Sequence, residues 1–185
     1  HMNTYLRATD KIQSASPEIG ALSETLELDR EVNAVAIVQK IYRYVHEEIA
    51  SAEFSGETDA VLAYKLQQAS CNGKSRLMIA LCRRRGIPAR LVGGLILSGK
   101  SKRTTHQWVE IYMGGNWVPF CPLNGYYAEK PAHYCMFYRN DNAFFVHSKD
   151  INFDYRFVLD KKLTPKDENF SEHHFFDIID IWKSF

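Results

Sequence analysis

A hairpin is the feature that most constrains the fold of this chain. Residues 105–121 alternate between two faces on either side of a Gly114-Gly115 loop. A two-residue loop fixes the register of the strands that it joins. Two pairs of opposite residues follow from this register: Trp108 with Cys121, and His106 with Leu123. His106 and Cys121 are therefore predicted to be diagonal neighbours on one face, about 7–8 Å apart and within reach of each other's side chains.

The segment that begins at Cys71 has the strongest helical pattern in the sequence. Its apolar positions recur at helical spacing and form a stripe of three residues: Leu77, Met78 and Leu81. A basic run ending at Arg85 lies at the negative end of the helix dipole, and Gly86 is a typical C-terminal cap. The pattern predicts a helix from Cys71 to Arg85, with the cysteine at its N-terminus.

Other segments predict further helices and strands. Helical spacing extends over residues 33–50, with Asn33 as the N-cap, and a shorter helix begins at Thr58-Asp59. Residues 89–97 have the composition of a buried strand interrupted by Gly93-Gly94, and residues 151–159 alternate as another strand. Helices that precede hairpin-forming strands indicate an α+β fold, in which the helices pack on an antiparallel β-sheet.

The composition favours one globular domain and argues against a strongly charged partner. The chain has 185 residues, of which 45% are hydrophobic, and this length can bury a sizeable core. Lys and Arg total 23 against 22 Asp and Glu, so no net charge attracts nucleic acid. The four cysteines form no CxxC motif, no apolar run approaches the roughly 20 residues of a membrane helix, and no motif requires a cofactor.

The chain divides into three segments at the level of sequence. We interpret His1-Met2 as a cloning remnant, within an N-terminal arm of residues 1–30. Residues 31–160 hold the core patterns, and residues 161–185 form a C-terminal segment. The last part of that segment, residues 175–185, is apolar on one side and stops without a cap, which indicates that the natural chain continues.

A cysteine at the start of a helix has the surroundings of a nucleophile. The helix N-terminus provides partial positive charge, which lowers a thiol pKa, and free backbone N–H groups, which can bind an oxyanion. The simpler interpretation of Cys71 alone is a small buried apolar residue. His106 makes the catalytic interpretation stronger, because a cysteine nucleophile needs a nearby general base. A third group would normally orient the histidine, and the position facing it holds the thiol of Cys121.

Four motifs carry a family resemblance: Ser70-Cys71-Asn72-Gly73-Lys74-Ser75, Arg85-Gly86-Ile87-Pro88-Ala89-Arg90, His106-Gln107-Trp108-Val109-Glu110 and Trp117-Val118-Pro119-Phe120-Cys121-Pro122. In this order and spacing they resemble the core of the transglutaminase-like superfamily, which has a papain-type fold. The resemblance implies that Cys71 is the acyl-accepting nucleophile and His106 the general base. An Asp completes the family's triad, and Cys121 stands in its place.

A narrower resemblance is to inactive transglutaminase-like domains that are fused to a seven-helix membrane segment in bacterial envelope proteins. Three stretches carry it: Pro122-Leu123-Asn124-Gly125-Tyr126, residues 149–157, and the closing Ile181-Trp182-Lys183-Ser184-Phe185. This resemblance implies a periplasmic or other extracytoplasmic domain, tethered to the inner membrane through its C-terminus. It also implies an ATP-grasp peptide ligase and a protease-like protein as partners.

The residues leave three interpretations of the site. In the first, a degenerate cleft binds a peptide or cell-envelope ligand and signals or scaffolds, with five wall residues: Trp108, Trp117, Asn124, Tyr126 and Tyr127. In the second, Cys71 and His106 catalyse acyl transfer, and Asn124 or Glu110 replaces the missing carboxylate. In the third, Cys71, His106 and Cys121 hold zinc, or the two cysteines form a redox disulfide. For Trp117, a place in the core is favoured over a binding role.

Overall fold

The computed structural model describes residues 2–52, 58–97 and 104–141. Two predicted elements lie outside these ranges: the strand of residues 151–159 and the C-terminal segment 161–185. Within the described ranges, helices pack on an antiparallel four-stranded sheet, which confirms the predicted α+β class. No helix in this part of the chain is long and apolar enough to span a membrane.

The N-terminal residues contribute to the hydrophobic core. A 3₁₀ turn at Met2–Leu6 precedes helix α1 (Pro17–Thr25), and a second 3₁₀ turn follows at Leu28–Arg30. The Ser16 hydroxyl caps α1 by accepting a hydrogen bond from the Ile19 N–H at 3.2 Å. Four apolar side chains of this region are buried: Ile12, Ile19, Leu22 and Leu28. The segment that we interpreted as an arm therefore packs into the core, in a helix too short to give a clear sequence period.

Two more helices precede the site, and both begin as the sequence predicts. Helix α2 (Ala34–Arg43) is capped by Asn33, whose Oδ1 accepts from the Val35 N–H at 2.9 Å. Helix α3 (Ala60–Leu66) is capped by Asp59, whose Oδ1 accepts from the Leu62 N–H at 2.8 Å. The helix predicted over residues 33–50 ends early, because a π-helical turn occupies Tyr44–Glu48. Two short parallel strands then pair: β1 (Ala50–Ser51) and β2 (Gln68–Ala69).

The main sheet has the strand order β5-β4-β3-β6, and each pair of neighbouring strands is antiparallel. Its strands are β3 (Ala89–Ile96), β4 (Thr104–Met113), β5 (Asn116–Phe120) and β6 (Tyr134–Arg139). The β4–β5 hairpin pairs Met113 with Asn116 and Val109 with Phe120, which confirms the predicted register. Gly114 and Gly115 have φ values of 57° and 84°, and a tight hairpin loop needs such left-handed conformations.

Helix α4 (Cys71–Arg84) packs on one face of the sheet and begins at the predicted cysteine. Leu77, Met78 and Leu81 are fully buried, as their spacing predicts, in the same core as Val109 and Ile111 of β4. The opposite face of the sheet carries a smaller aromatic cluster, which includes Trp108 and Tyr134. The Ser75 hydroxyl of α4 donates to the Gln107 carbonyl at 3.3 Å, so the first turns of the helix lie beside the β4 residue that follows His106.

Candidate active site

Cys71 is the first residue of α4, and its side chain is partly buried. Burial raises the pKa of the Cys71 thiol, while hydrogen bonds from the backbone N–H groups of Gln107 and Asn72 oppose this rise. The net direction is opposite to the one expected for a thiol at a helix N-terminus, because loss of water outweighs the few N–H donors. Cys71 therefore rests as a neutral thiol near neutral pH.

His106 and Cys121 meet as the hairpin register predicts. Nε2 of His106 lies 3.1 Å from Sγ of Cys121, and both side chains are buried. Cys121 directly follows β5, which places its thiol diagonally across from His106. The position that the family's triad gives to a carboxylate therefore holds a thiol in contact with Nε2, and Nδ1 is the ring nitrogen that Cys121 does not contact.

The surroundings of His106 disfavour its charged form. The imidazole is 4% exposed and packs beside the aromatic rings of Trp108 and Tyr134, with centroid distances of 6.2 and 5.2 Å. Burial lowers the pKa of His106 to about 4. His106 is therefore a neutral imidazole at neutral pH.

Cys121 is the centre of a small polar network. Its Sγ lies 3.5 Å from the Tyr134 hydroxyl and accepts a hydrogen bond from the Asn124 N–H at 3.4 Å. A tight turn creates these contacts: the Cys121 N–H donates to the Tyr126 carbonyl at 2.8 Å, and Gly125 has a φ of 78°. Burial raises the pKa of Cys121, and hydrogen bonds from Tyr134 and Asn124 oppose that rise without cancelling it. The thiol in the triad position is thus neutral as well.

Two residues of the site were not found from the sequence. Tyr134 lies in an aromatic-rich stretch that has no clear period, so only its contacts in the folded chain connect it to Cys121. Lys74 is 1% exposed, donates to the His46 carbonyl at 3.2 Å, and interacts electrostatically with Cys121. Burial lowers the pKa of Lys74. The sequence signal that could have suggested a role for Lys74 is its position in the first turn of α4, the helix that begins at Cys71.

The five predicted wall residues do not form one surface. Trp108 is buried beside His106, Tyr126 packs on Tyr134 with a centroid distance of 5.6 Å, and Asn124 is in the Cys121 turn. Tyr127 is 38% exposed and packs on Tyr42 and Phe120, with both centroid distances at 5.1 Å. Four of the five predicted residues therefore lie on or beside the segment that holds Cys121.

Trp117 lies apart from these residues. It pairs with Tyr112, about six residues along β4 from His106, which is roughly 20 Å at the rise of a strand. The centroid of its ring lies 4.9 Å from that of Tyr5 and 5.4 Å from that of Tyr112, and the Arg90 guanidinium lies 3.8 Å from the same centroid. The structure gives Trp117 a packing role at the far end of the hairpin, where it is half-buried and belongs to neither cluster of buried residues, so it does not occupy the place in the core that the sequence favoured.

Neither suggested substitute for the carboxylate reaches His106. Glu110 accepts from Arg90 at 2.8 Å and from Arg139 at 2.9 Å, so its charge is used in ion pairs. Asn124 donates through its backbone to Cys121 and through Nδ2 to the Tyr134 hydroxyl, the latter at 2.6 Å. Among the hydrogen bonds of the described residues, Nε2 of His106 therefore has one partner, the thiol of Cys121.

The third interpretation, zinc or a disulfide, finds no support in the described ranges. All four cysteines are free thiols: Cys71, Cys82, Cys121 and Cys135. Within residues 2–52, 58–97 and 104–141, no three His, Cys, Asp or Glu side chains are grouped as a metal ion requires.

A helix that begins at a cysteine and packs beside a hairpin that carries a histidine defines a papain-type α+β domain with a cysteine-centred site. The sequence matches the Transglutaminase-like superfamily over residues 22–122, more than half of the chain. The chain belongs to this superfamily. No curated protein matches it by sequence.

Solved structures share the fold. A candidate cysteine protease from Cytophaga hutchinsonii superposes with a TM-score of 0.63 and 21% identity, over 76% of this chain and 47% of that one. The periplasmic domain of TgpA from Pseudomonas aeruginosa gives a TM-score of 0.51 and 18% identity, over 65% of this chain and 46% of that one. The same TgpA domain bound to ethylmercury gives a TM-score of 0.50 and 19% identity, over 65% of this chain and 48% of that one. The match thus spans about half the length of each of these solved chains.

Proposed function

We propose that this chain is an extracytoplasmic transglutaminase-like domain whose site binds a peptide or cell-envelope ligand without efficient acyl transfer. One observation carries the proposal: Nε2 of His106 contacts the Cys121 thiol, 3.1 Å away, where the family's triad has a carboxylate. A neutral thiol cannot stabilise the imidazolium that forms when a histidine takes a proton from a nucleophile. In serine proteases, replacing the triad carboxylate without disturbing the geometry lowers kcat by about 10⁴.

The protonation of the pair supports the same conclusion. A reactive Cys-His pair needs a thiolate, which forms when the thiol pKa is low or when a base takes its proton. Here burial raises the pKa of Cys71 and lowers that of His106 to about 4. Both shifts favour the neutral pair, so the thiolate fraction of Cys71 is small at neutral pH.

The site keeps features that suit ligand binding. The backbone N–H groups at the start of α4 can donate to a carbonyl oxygen of an amide, whether or not Cys71 attacks it. Tyr126 and the more exposed Tyr127 lie next to the Cys121 turn, where their rings can pack on an extended ligand. A peptide or a peptide-containing cell-wall fragment offers both the amide and the extended shape.

The location and partners belong to the same proposal. We place the domain outside the cytoplasmic membrane and tether it to the inner membrane through a seven-helix segment. An ATP-grasp peptide ligase and a protease-like protein are its proposed partners. The sequence motifs around Asn124 and at residues 181–185 support this placement, and so does the shared fold with a domain that is itself periplasmic.

A second function, slow acyl transfer by Cys71 and His106, is favoured by one specific observation. The nucleophile position at a helix start and the histidine on β4 are both occupied by the residues that the chemistry needs. In this case the domain would be a weak peptidase, amidase or transglutaminase.

Turnover and binding assays on the same samples separate the two functions. Wild type and Cys71→Ser are incubated with a biotinylated amine and a glutamine-rich protein, and release of ammonia from a glutamine peptide is followed in parallel. Binding of that peptide and of a purified peptidoglycan stem peptide is measured by calorimetry. We expect no Cys71-dependent turnover and similar binding by both proteins. Turnover that disappears in Cys71→Ser establishes the enzyme, and absence of binding to either peptide contradicts the binding role.

A further inference from the structure

The hydrogen bonds around Cys121 determine where its proton points. Besides the Leu123 N–H, which donates to it, three polar groups lie within hydrogen-bonding distance of its sulfur: Nε2 of His106 at 3.1 Å, the Asn124 N–H at 3.4 Å and the Tyr134 hydroxyl at 3.5 Å. A neutral thiol has one proton to donate and two lone pairs with which to accept. Cys121 is buried and its pKa is raised, so it is neutral. Each of its three contacts can therefore be assigned a direction.

The contacts on the turn side are all directed toward the sulfur. A backbone N–H can only donate, so Asn124 donates to Sγ. The Tyr134 oxygen already accepts a hydrogen bond from Nδ2 of Asn124 at 2.6 Å. The proton of the Tyr134 hydroxyl then needs an acceptor. Among the described residues, Sγ of Cys121 is the acceptor within hydrogen-bonding distance. With the Leu123 N–H, these donors occupy both lone pairs of the sulfur.

From this count we infer that Cys121 donates its S–H to Nε2 of His106 and so holds the imidazole in the tautomer that carries its proton on Nδ1. Cys121 is thus a positioning residue that sets the histidine in the unproductive state. In that tautomer Nδ1 bears a proton and has no lone pair, while the lone pair of Nε2 is engaged by Cys121, so neither ring nitrogen is free to take a proton from Cys71. Burial of His106 disfavours the imidazolium. This inference rests on the proposed function and gives it an atomic cause.

A carboxylate at position 121 would produce the other tautomer. It can only accept hydrogen bonds, so Nε2 would carry the proton and Nδ1 would keep a free lone pair that can accept a proton. The Asn124 N–H, the Tyr134 hydroxyl and the buried Lys74 would all favour the negative charge. The surroundings of Cys121 therefore suit an anion, and the thiol reverses the direction of one hydrogen bond within them.

The tautomer can be measured directly by ¹H–¹⁵N correlation NMR of the histidine rings at pH 7. The spectrum of wild type is compared with that of His106→Gln to assign the His106 signals. We expect a neutral His106 with its proton on Nδ1. A proton on Nε2, or on both nitrogens, overturns the inference, and this result needs no variant at position 121.

Two variants at position 121 form a matched pair. Serine, like cysteine, has one proton and two lone pairs, so Cys121→Ser should keep the Nδ1 proton. Cys121→Asp should move the proton to Nε2 and raise the rate of Cys71 alkylation at pH 7 at least tenfold. For comparison, the triad carboxylate of a serine protease contributes about 10⁴ to kcat. If Cys121→Ser also moves the proton to Nε2, the inference is wrong. Should Cys121→Asp fail to fold, the wild-type and Cys121→Ser spectra still decide.

The tautomer and the proposed function can fail separately. An Nδ1 proton together with no peptide binding supports the inference and contradicts the binding role. An Nε2 proton together with peptide binding and no turnover contradicts the inference and keeps the binding role.

Discussion

Gly94 lies against the main chain of Cys135, so closely that a Cβ atom on Gly94 would be 1.9 Å from the Cys135 carbonyl oxygen. This approach joins β3 to β6, the strand that carries Tyr134 to the Cys121 network. The register of β3 with β6 also shifts between Gly93 and Gly94. The sequence predicts an interruption of the strand at Gly93-Gly94, whereas β3 runs through this pair from Ala89 to Ile96, and the glycines allow β6 to pack closely against it.

Substitution of Gly94 should separate these strands. In Gly94→Ala the added methyl meets backbone atoms that cannot rotate away, so we expect a loss of about 1–3 kcal/mol in the free energy of unfolding, measured by urea denaturation. Gly20→Ala is the control, because its methyl would meet the end of the flexible Arg84 side chain at 3.1 Å and alanine suits a helix. Equal stability of Gly94→Ala and wild type would show that β6 is not held as described.

The hydroxyl of Tyr134 should contribute to stability through its contacts with Asn124 and Cys121. Tyr134→Phe removes one partner from a buried network, and we expect a loss of about 1 kcal/mol, measured by thermal denaturation. Tyr44→Phe removes a hydroxyl whose hydrogen bonds to Gln67 are exposed, and it should change stability by less than about 0.5 kcal/mol. If Tyr134→Phe is as stable as Tyr44→Phe, the hydroxyl of Tyr134 does not stabilise the fold through Asn124 and Cys121.

His106 should make the fold sensitive to acid. Its pKa is about 4 in the folded chain against an ordinary value of 6.5. Below pH 6.5 the unfolded chain therefore binds a proton that the folded chain excludes, and stability falls as the pH decreases. The loss attributable to His106 is roughly 2 kcal/mol at pH 5 and negligible above pH 7.5.

Urea denaturation at pH 7.5 and pH 5 gives the loss of stability on acidification for wild type and for His106→Gln, and the difference between the two losses is the contribution of His106. The variant should lose less stability on acidification, whereas His133→Gln, at an exposed position, should behave as wild type. If His106→Gln loses as much stability as wild type, the imidazole is not kept neutral by burial.

Ligand binding should depend on the turn side of the site and not on the far end of the hairpin. Tyr126→Ala should weaken binding of a peptide that the wild type binds by at least about fivefold, or about 1 kcal/mol, because its ring lies beside the Cys121 network. Trp117→Ala removes packing against Tyr5 and Arg90 and should lower stability while the folded protein keeps its affinity. Calorimetry on both proteins checks this, and the reverse ranking would move the binding surface to the Trp117 end.

Local patterns were sufficient to predict much of the fold. The glycine loop fixed the hairpin register, and with it the contact of His106 with Cys121. Asn33, Asp59 and Cys71 marked the starts of three helices, because caps and helical spacing are properties of adjacent residues.

Contacts between distant segments could not be predicted in this way. The approach of Tyr134 to Cys121 depends on β6 pairing with β3, and no local spacing encodes that pairing. The net direction of the Cys71 pKa shift depends on burial by the folded chain, which a helix-start motif does not reveal. The burial of Ile12 and Leu28 likewise depends on packing against later helices.

The most direct test is the pH dependence of Cys71 alkylation by iodoacetamide, read by mass spectrometry in wild type, His106→Ala and Cys121→Asp. A thiol that His106 does not activate should react slowly at pH 7 and faster with increasing pH, with less than about a twofold change in His106→Ala. Cys71 should react faster in Cys121→Asp than in wild type, and this gain should disappear when His106→Ala is added to Cys121→Asp. Rapid alkylation of the wild-type Cys71 below pH 7 that disappears in His106→Ala would contradict the account, because it would show an active Cys-His pair.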